Sequence, residues 1–167
     1  FYIVHFNRQP GVADAAFENH TEQFLYNLYR TNQWLHPKLE LGPGMNLVNM
    51  AQDPAVLDGV PGDPIMSDQE MQVFLDAFAV SGFTGGINWY RNFSRNWEII
   101  GNYEQHIYQP TLAIFGDYDM VPKSPSLADH VSDLEIVDFP CGHWIQQEKP
   151  AETNAAMLDW LTRRYPA

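Results

Sequence analysis

Two stretches decide how the second half of this chain folds: Pro110-Thr111-Leu112-Ala113-Ile114-Phe115-Gly116-Asp117-Tyr118-Asp119, and Leu134-Glu135-Ile136-Val137-Asp138-Phe139-Pro140-Cys141-Gly142-His143-Trp144. Thr111 to Phe115 is a short apolar run bounded by a proline and a glycine, the pattern of a strand buried on both faces. Leu134 to Phe139 reads as a second strand. Between them, Ser124 and Pro125 supply an N-cap and a first helical residue for a short helix to about Val131. Pro150 opens a last helix in which Met157, Leu158, Trp160 and Leu161 are expected to pack inward. Strand, helix, strand, helix in so short a span implies a parallel βαβ unit with a right-handed crossover. Two strands do not complete a doubly wound sheet, so this half is expected to lack most of the sheet it needs.

In open parallel sheets, ligands gather beyond the carboxyl ends of the strands. Asp117 and Asp119 follow the first strand, and His143 follows the second. Parallel strands point the same way, so both loops emerge on one edge and an acid can meet the imidazole there. Such a carboxylate fixes the histidine tautomer and stabilises its charged form, leaving the other ring nitrogen to take a proton from water. Asp119 is the better partner and Asp117, beside Gly116, the better turn-former. A lone histidine after a turn is more often an ordinary surface or core residue. The acid one βα unit upstream is what tips His143 toward function.

Working outward, Ala13 to Arg30 has a helical apolar face of Ala13, Ala16, Phe17, Phe24, Leu25 and Leu28. From Lys38 to Pro64 prolines and glycines are too dense for a long element, and an irregular excursion is expected. Ser67-Asp68-Gln69-Glu70 is a capping box that starts a helix with Met71, Phe74, Leu75 and Phe78 on one face, stopped by Gly82. After Gly85-Gly86, Trp89, Tyr90, Phe93, Trp97 and Ile100 recur at helical intervals. The chain therefore divides into a helical, aromatic region, residues 1–104, and an α/β region, residues 105–167.

Composition narrows the function. The 167 residues are 45% hydrophobic and 18% charged, with 21 acidic against 9 basic side chains and a formal net charge of -12. That suits one soluble globular domain, and its acidity disfavours nucleic-acid and anionic-membrane partners. No apolar run is long enough to suggest a membrane span. The single cysteine, Cys141, excludes an intrachain disulfide and a cysteine-rich metal site. Its neighbour His143 does not make it a nucleophile, because adjacent residues in a turn lack triad geometry. His20, His36, His106 and His130 lack metal-ligand spacing, and Asp129, Asp133 and Glu135 read as a solvated face.

Ser81-Gly82-Phe83-Thr84-Gly85-Gly86-Ile87-Asn88-Trp89-Tyr90-Arg91-Asn92 resembles the cap segment of soluble-type epoxide hydrolases of the α/β-hydrolase fold. The segments around Asp119 and His143 resemble the acid and histidine segments of that fold. Tyr2-Ile3-Val4-His5-Phe6 with Gln9-Pro10-Gly11-Val12-Ala13 resembles the start of the cap. The resemblance implies a partial α/β-hydrolase fold: residues 1–104 as a helical cap, then the last βαβα portion of a parallel sheet. It implies that Tyr90 is one of two cap groups holding the epoxide oxygen, with His5 at the position of the second, commonly a tyrosine. Trp89 and Trp144, with Trp97 and Phe93, would line an apolar pocket.

The implied reaction turns a small hydrophobic epoxide and water into a vicinal diol, with no metal or cofactor. An aspartate forms an ester with the epoxide, and His143, oriented by Asp119, activates the water that cleaves it. The 167 residues contain no Gly-x-Asp/Ser-x-Gly elbow to carry that aspartate. Because the first residue is not methionine, an N-terminal half that supplies it is expected, and the isolated chain is expected to be inactive. A cytoplasmic location is favoured, and a homodimer is left open. The rival readings are a haloalkane or haloacid dehalogenase of the same fold, or a non-catalytic remnant that binds apolar ligands.

Overall fold

The computed structural model describes residues 2–31, 47–52, 62–119 and 121–166. These residues belong to two compact units: the first takes residues 2–30, 47–52 and 62–103, and the second Thr31 with residues 104–119 and 121–166.

The first unit contains helices α1 (Tyr2–Arg8), α2 (Val12–Asn19), α3 (Thr21–Leu28), α4 (Leu47–Gln52), α5 (Asp68–Ser81), α6 (Thr84–Arg91) and α7 (Phe93–Ile100). The expected helix from Ala13 to Arg30 is two, α2 and α3, because the backbone at His20 leaves the helical region (φ -133°, ψ 34°). That break turns Phe24 back onto Phe17, and the two rings stack with centroids 3.9 Å apart. Phe83 then meets both edge-on and stacks on Phe78. Around this aromatic nucleus lie Phe6, Ala13, Ala16, Leu25, Met71 and Ile87, all buried.

Helix α5 begins where its capping box places it. The Ser67 hydroxyl accepts from the Glu70 amide, and the Glu70 carboxylate accepts from the Ser67 amide. It ends at Gly82, whose positive φ of 60° suits glycine. The expected aromatic helix starts earlier than its glycines suggested, at Thr84, and divides at Asn92 into α6 and α7. Pro37, Pro43, Pro54 and Pro61 lie outside the described residues. Within the stretch read as irregular, α4 is helical, and its Val48 is buried in the core.

The second unit is built on β1 (Thr111–Gly116) and β2 (Leu134–Phe139), paired in parallel with Thr111 opposite Leu134 and Gly116 opposite Phe139. The short crossover helix α8 is Leu127–His130, capped at Ser126 rather than at Ser124. Pro125 sits in the preceding turn instead of opening the helix. Helices α9 (Ile145–Glu148) and α10 (Pro150–Arg164) complete the unit.

β1 is half-buried along most of its length, not buried on both faces as its apolar run suggested. Among the described residues only β2 pairs with it. α10 also departs from expectation. Its inward stripe is Thr153, Ala156 and Trp160, whereas Leu158 is 64% exposed and Met157 and Leu161 are nearly half exposed. The C-terminal arginines of α10 anchor it: Arg163 binds Glu135 of β2, and Arg164 binds Asp133 just before that strand. Among the described residues no helix is long and apolar enough to cross a membrane.

Candidate active site

The parallel pairing of β1 and β2 brings their carboxyl-end loops together, and the backbone stitches them side by side. The Asp117 amide donates to Phe139 O (2.9 Å) and the Tyr118 amide to Cys141 O (3.0 Å). Gly116 makes this approach feasible. A Cβ there would collide with the carbonyls of Cys141 and Gly142.

Across the stitched loops, His143 Nδ1 lies 2.8 Å from Asp119 Oδ1. The same carboxylate oxygen accepts from the Val121 amide at 2.9 Å, which fixes the aspartate rotamer. The Asp119 side chain is 15% exposed and that of His143 39%, so the acid is sheltered while the imidazole reaches solvent. Nδ1 must carry the proton in the neutral ring to donate to an ionised carboxylate, which leaves Nε2 as the basic nitrogen. Asp117, the discarded alternative, is exposed and makes only backbone contact with the second loop. Trp144 stands beside the site, its ring 5.0 Å from that of His143. Burial, reinforced by the negative charge of Glu148, pushes the Cys141 thiol up to about 11, so it is no nucleophile near neutral pH.

In the first unit, Tyr90 on α6 meets Tyr2 and Phe6 of α1, with ring centroids 5.5 and 5.7 Å away. The Tyr2 and Tyr90 rings meet edge to face, at an interplanar angle of 81°. Burial first, then the neighbouring Tyr90, raises the Tyr2 hydroxyl above the usual tyrosine range. Tyr2, rather than His5, is therefore the side chain that joins Tyr90. Because residues 2–8 are helical, Tyr2 and Phe6 share the flank turned to α6. His5 falls on the other side of Tyr2, where its Nε2 is buried without a hydrogen-bond partner. The resemblance that set His5 beside Tyr90 did not point to Tyr2. The signal that finds it is the i, i+4 pair Tyr2/Phe6.

A buried ion pair holds α1, α2 and α6 together around the two tyrosines. Arg91 follows Tyr90 and donates from Nε to Phe6 O (3.1 Å) and from its terminal nitrogens to Asp14 (2.5 and 3.3 Å). Thr84 adds a third bond to Asp14 at 2.7 Å. The Arg91 guanidinium, with help from Thr84, holds the Asp14 carboxyl down at about 2. Trp89 is 75% exposed and Trp97 81%. Among the described residues no cluster of three potential ligands could hold a metal ion.

A scan of family models finds no match to the chain. Individual proteins do match. Epoxide hydrolase A of Mycobacterium tuberculosis is 34% identical over 97% of the chain and 52% of its own length. Bifunctional epoxide hydrolase 2 of Rattus norvegicus is 33% identical over 96% of the chain and 29% of its own length. Among solved structures, an epoxide hydrolase from an endophytic Streptomyces matches 98% of the chain and 52% of its own, at 30% identity and a TM-score of 0.76. Epoxide hydrolase A from Mycobacterium thermoresistibile matches 96% and 51%, at 27% identity and a TM-score of 0.72. These neighbours have the α/β-hydrolase fold, of which the chain forms part. It spans about half the length of the mycobacterial relative and less than a third of the rat one.

Proposed function

We propose, for a chain homologous to the epoxide hydrolases over nearly its whole length, that it supplies the water-activating and oxygen-holding groups of an enzyme opening epoxides to vicinal diols. The observation that carries this reading is the edge-to-face contact of the Tyr2 and Tyr90 rings, with centroids 5.5 Å apart. Two phenols placed together can both donate to one oxygen, which an epoxide opening requires and a departing halide does not.

The first unit acts as the cap, and an aspartate from sequence beyond this stretch attacks an epoxide carbon. The carbon–oxygen bond of the ring breaks as the ester bond forms, and the electron pair passes to the ring oxygen. Tyr2 and Tyr90 donate to that oxygen as its charge grows, and one of them protonates it. Donors aimed at developing charge in a site shielded from water give the largest stabilisation such a site offers. His5 becomes a supporting residue of α1.

In the second step Nε2 of His143 takes a proton from water, and the hydroxide attacks the ester carbonyl. The tetrahedral intermediate collapses, the imidazolium returns its proton to the departing diol oxygen, and the proton of the new carboxyl passes to the tyrosinate left by the first step, regenerating both carboxylate and phenol. Asp119 holds the imidazole in the required tautomer and stabilises the imidazolium formed on the way. Trp144, against the imidazole, would form part of the apolar wall for the substrate. The exposure of Trp89 makes it a weaker candidate for that wall.

The test uses the complete protein with an aryl epoxide. Diol should form, and Tyr2→Phe and Tyr90→Phe should each slow ester formation by about 100-fold or more. Release of halide from a haloalkane without diol from the epoxide would replace this reading with dehalogenation. Binding of the epoxide with no turnover, unaffected by His143→Ala, would make the protein a binding module.

A further inference from the structure

We infer that Glu148 is the positioning residue for His143, holding the loop that carries the imidazole by the amides on both sides of it; this deepens the proposed reading of His143 as the base. The one-turn helix α9 swings Glu148 back over the loop that precedes it. Glu148 Oε2 accepts from the Gly142 amide at 2.9 Å and Oε1 from the Trp144 amide at 3.3 Å. One carboxylate thus grips residues 142 and 144, and His143 stands between them.

The loop needs such a grip. It contains a glycine, and the regular ladder of β2 ends at Phe139. Gly142 is buried, and its amide without a partner would carry the cost of a buried unmade hydrogen bond. Bonds to an ionised carboxylate are shorter and stronger than neutral ones. Glu148 acts from one side, while the Tyr118 amide on Cys141 O and the close face of Gly116 confine the loop from the other. The bond from His143 to Asp119 is therefore held from both ends. The Val121 amide sets the acid, and Glu148 sets the base. A glutamine at position 148 has the same shape but only one accepting oxygen, and its amide group would face a donor.

Glu148→Gln therefore tests the proposal without an obvious hole in the packing. In nuclear magnetic resonance spectra of the protein carrying this chain, the Gly142 and Trp144 amide protons should shift together as one carboxyl titrates. In Glu148→Gln that joint shift should vanish, and the hydrogen-bonded Nδ1 proton of His143 should broaden. Joint titration persisting in the variant, or an unchanged Nδ1 proton, would overturn the inference.

In the complete protein with an aryl epoxide, the variant should form the ester at the normal rate and hydrolyse it about 10- to 100-fold more slowly. kcat and KM then fall together while kcat/KM holds. In a His143→Gln background, Glu148→Gln should add nothing, as expected of a residue that acts through another. Equal slowing of both steps would reduce Glu148 to a merely structural role and refute the inference. If the wild-type protein forms no diol, the proposed function fails, and the amide and ring signals still decide the role of Glu148.

Discussion

Asp14→Asn is the most informative substitution in the first unit, because its effect can be worked out in size, sign and pH range. The Asp14 carboxyl is held at about 2, against an ordinary 3.8, chiefly by hydrogen bonds from Arg91. The two side chains are only 10% and 18% exposed, so little solvent screening discounts the interaction. At about 1.4 kcal/mol per pKa unit, the ionised form is stabilised by about 2 kcal/mol on folding. A lowered carboxyl gives stability that is complete well above 3.8 and disappears as pH falls toward 2. Asparagine removes this charge yet keeps a hydrogen-bond acceptor for Thr84, and it leaves the buried Arg91 uncompensated.

Urea unfolding followed by far-ultraviolet circular dichroism should therefore show Asp14→Asn less stable than wild type by at least about 2 kcal/mol at pH 7. The difference should narrow from pH 4 downward as the wild-type carboxyl is protonated. A difference of the same size at pH 7 and pH 2, or none at pH 7, would refute the reasoning. Because Arg91 also holds the Phe6 carbonyl, the variant should loosen α1 against α6. Its tyrosine absorbance titration should then move toward that of free phenols, since Tyr2 is freed from its half-buried contact with Tyr90.

Two further predictions concern the second unit. Cys141, with its thiol near 11, should react with iodoacetamide at pH 7.5 about 100-fold more slowly in the folded protein than in urea; equal rates would show that burial does not control it. Gly116→Ala should force the loop containing Cys141 and Gly142 away from β1, lowering stability by about 1–3 kcal/mol and weakening the His143–Asp119 bond. Thermal melting together with the His143 Nδ1 proton signal reads both effects, and a variant that melts like wild type with an intact signal would contradict the close-contact argument.

Much of the architecture was legible before any coordinates because its signals are local. Pro110 precedes β1 and Gly116 ends it, and the β2 span is as expected. The Ser67/Glu70 pair marks the start of α5 within one turn. The Asp119–His143 contact followed from the same local reading, since parallel strands must release their loops on one edge. Where the sequence alone misplaced things, the cause was an effect acting across the chain. The breaks at His20 and Asn92 leave no strong local signature; the one at His20 lets Phe24 fold back to stack on Phe17. The inward stripe of α10 runs through Thr153, Ala156 and Trp160, while Leu158 and Leu161 face outward and Arg163 and Arg164 tie its end to Glu135 and Asp133.

The sequence by itself determined which chemistry is on offer: an acid and a histidine after successive parallel strands, a tyrosine in an aromatic helix, and one cysteine. Only the tertiary structure decided which side chains meet. It joined Tyr2 rather than His5 to Tyr90, made Asp14 and Arg91 a buried clamp, and put Glu148 on the amides flanking His143. Periodicity can assign a residue to a helix face. The partner of that face depends on helix rotation and loop closure, which packing and hydrogen bonding settle across the whole unit.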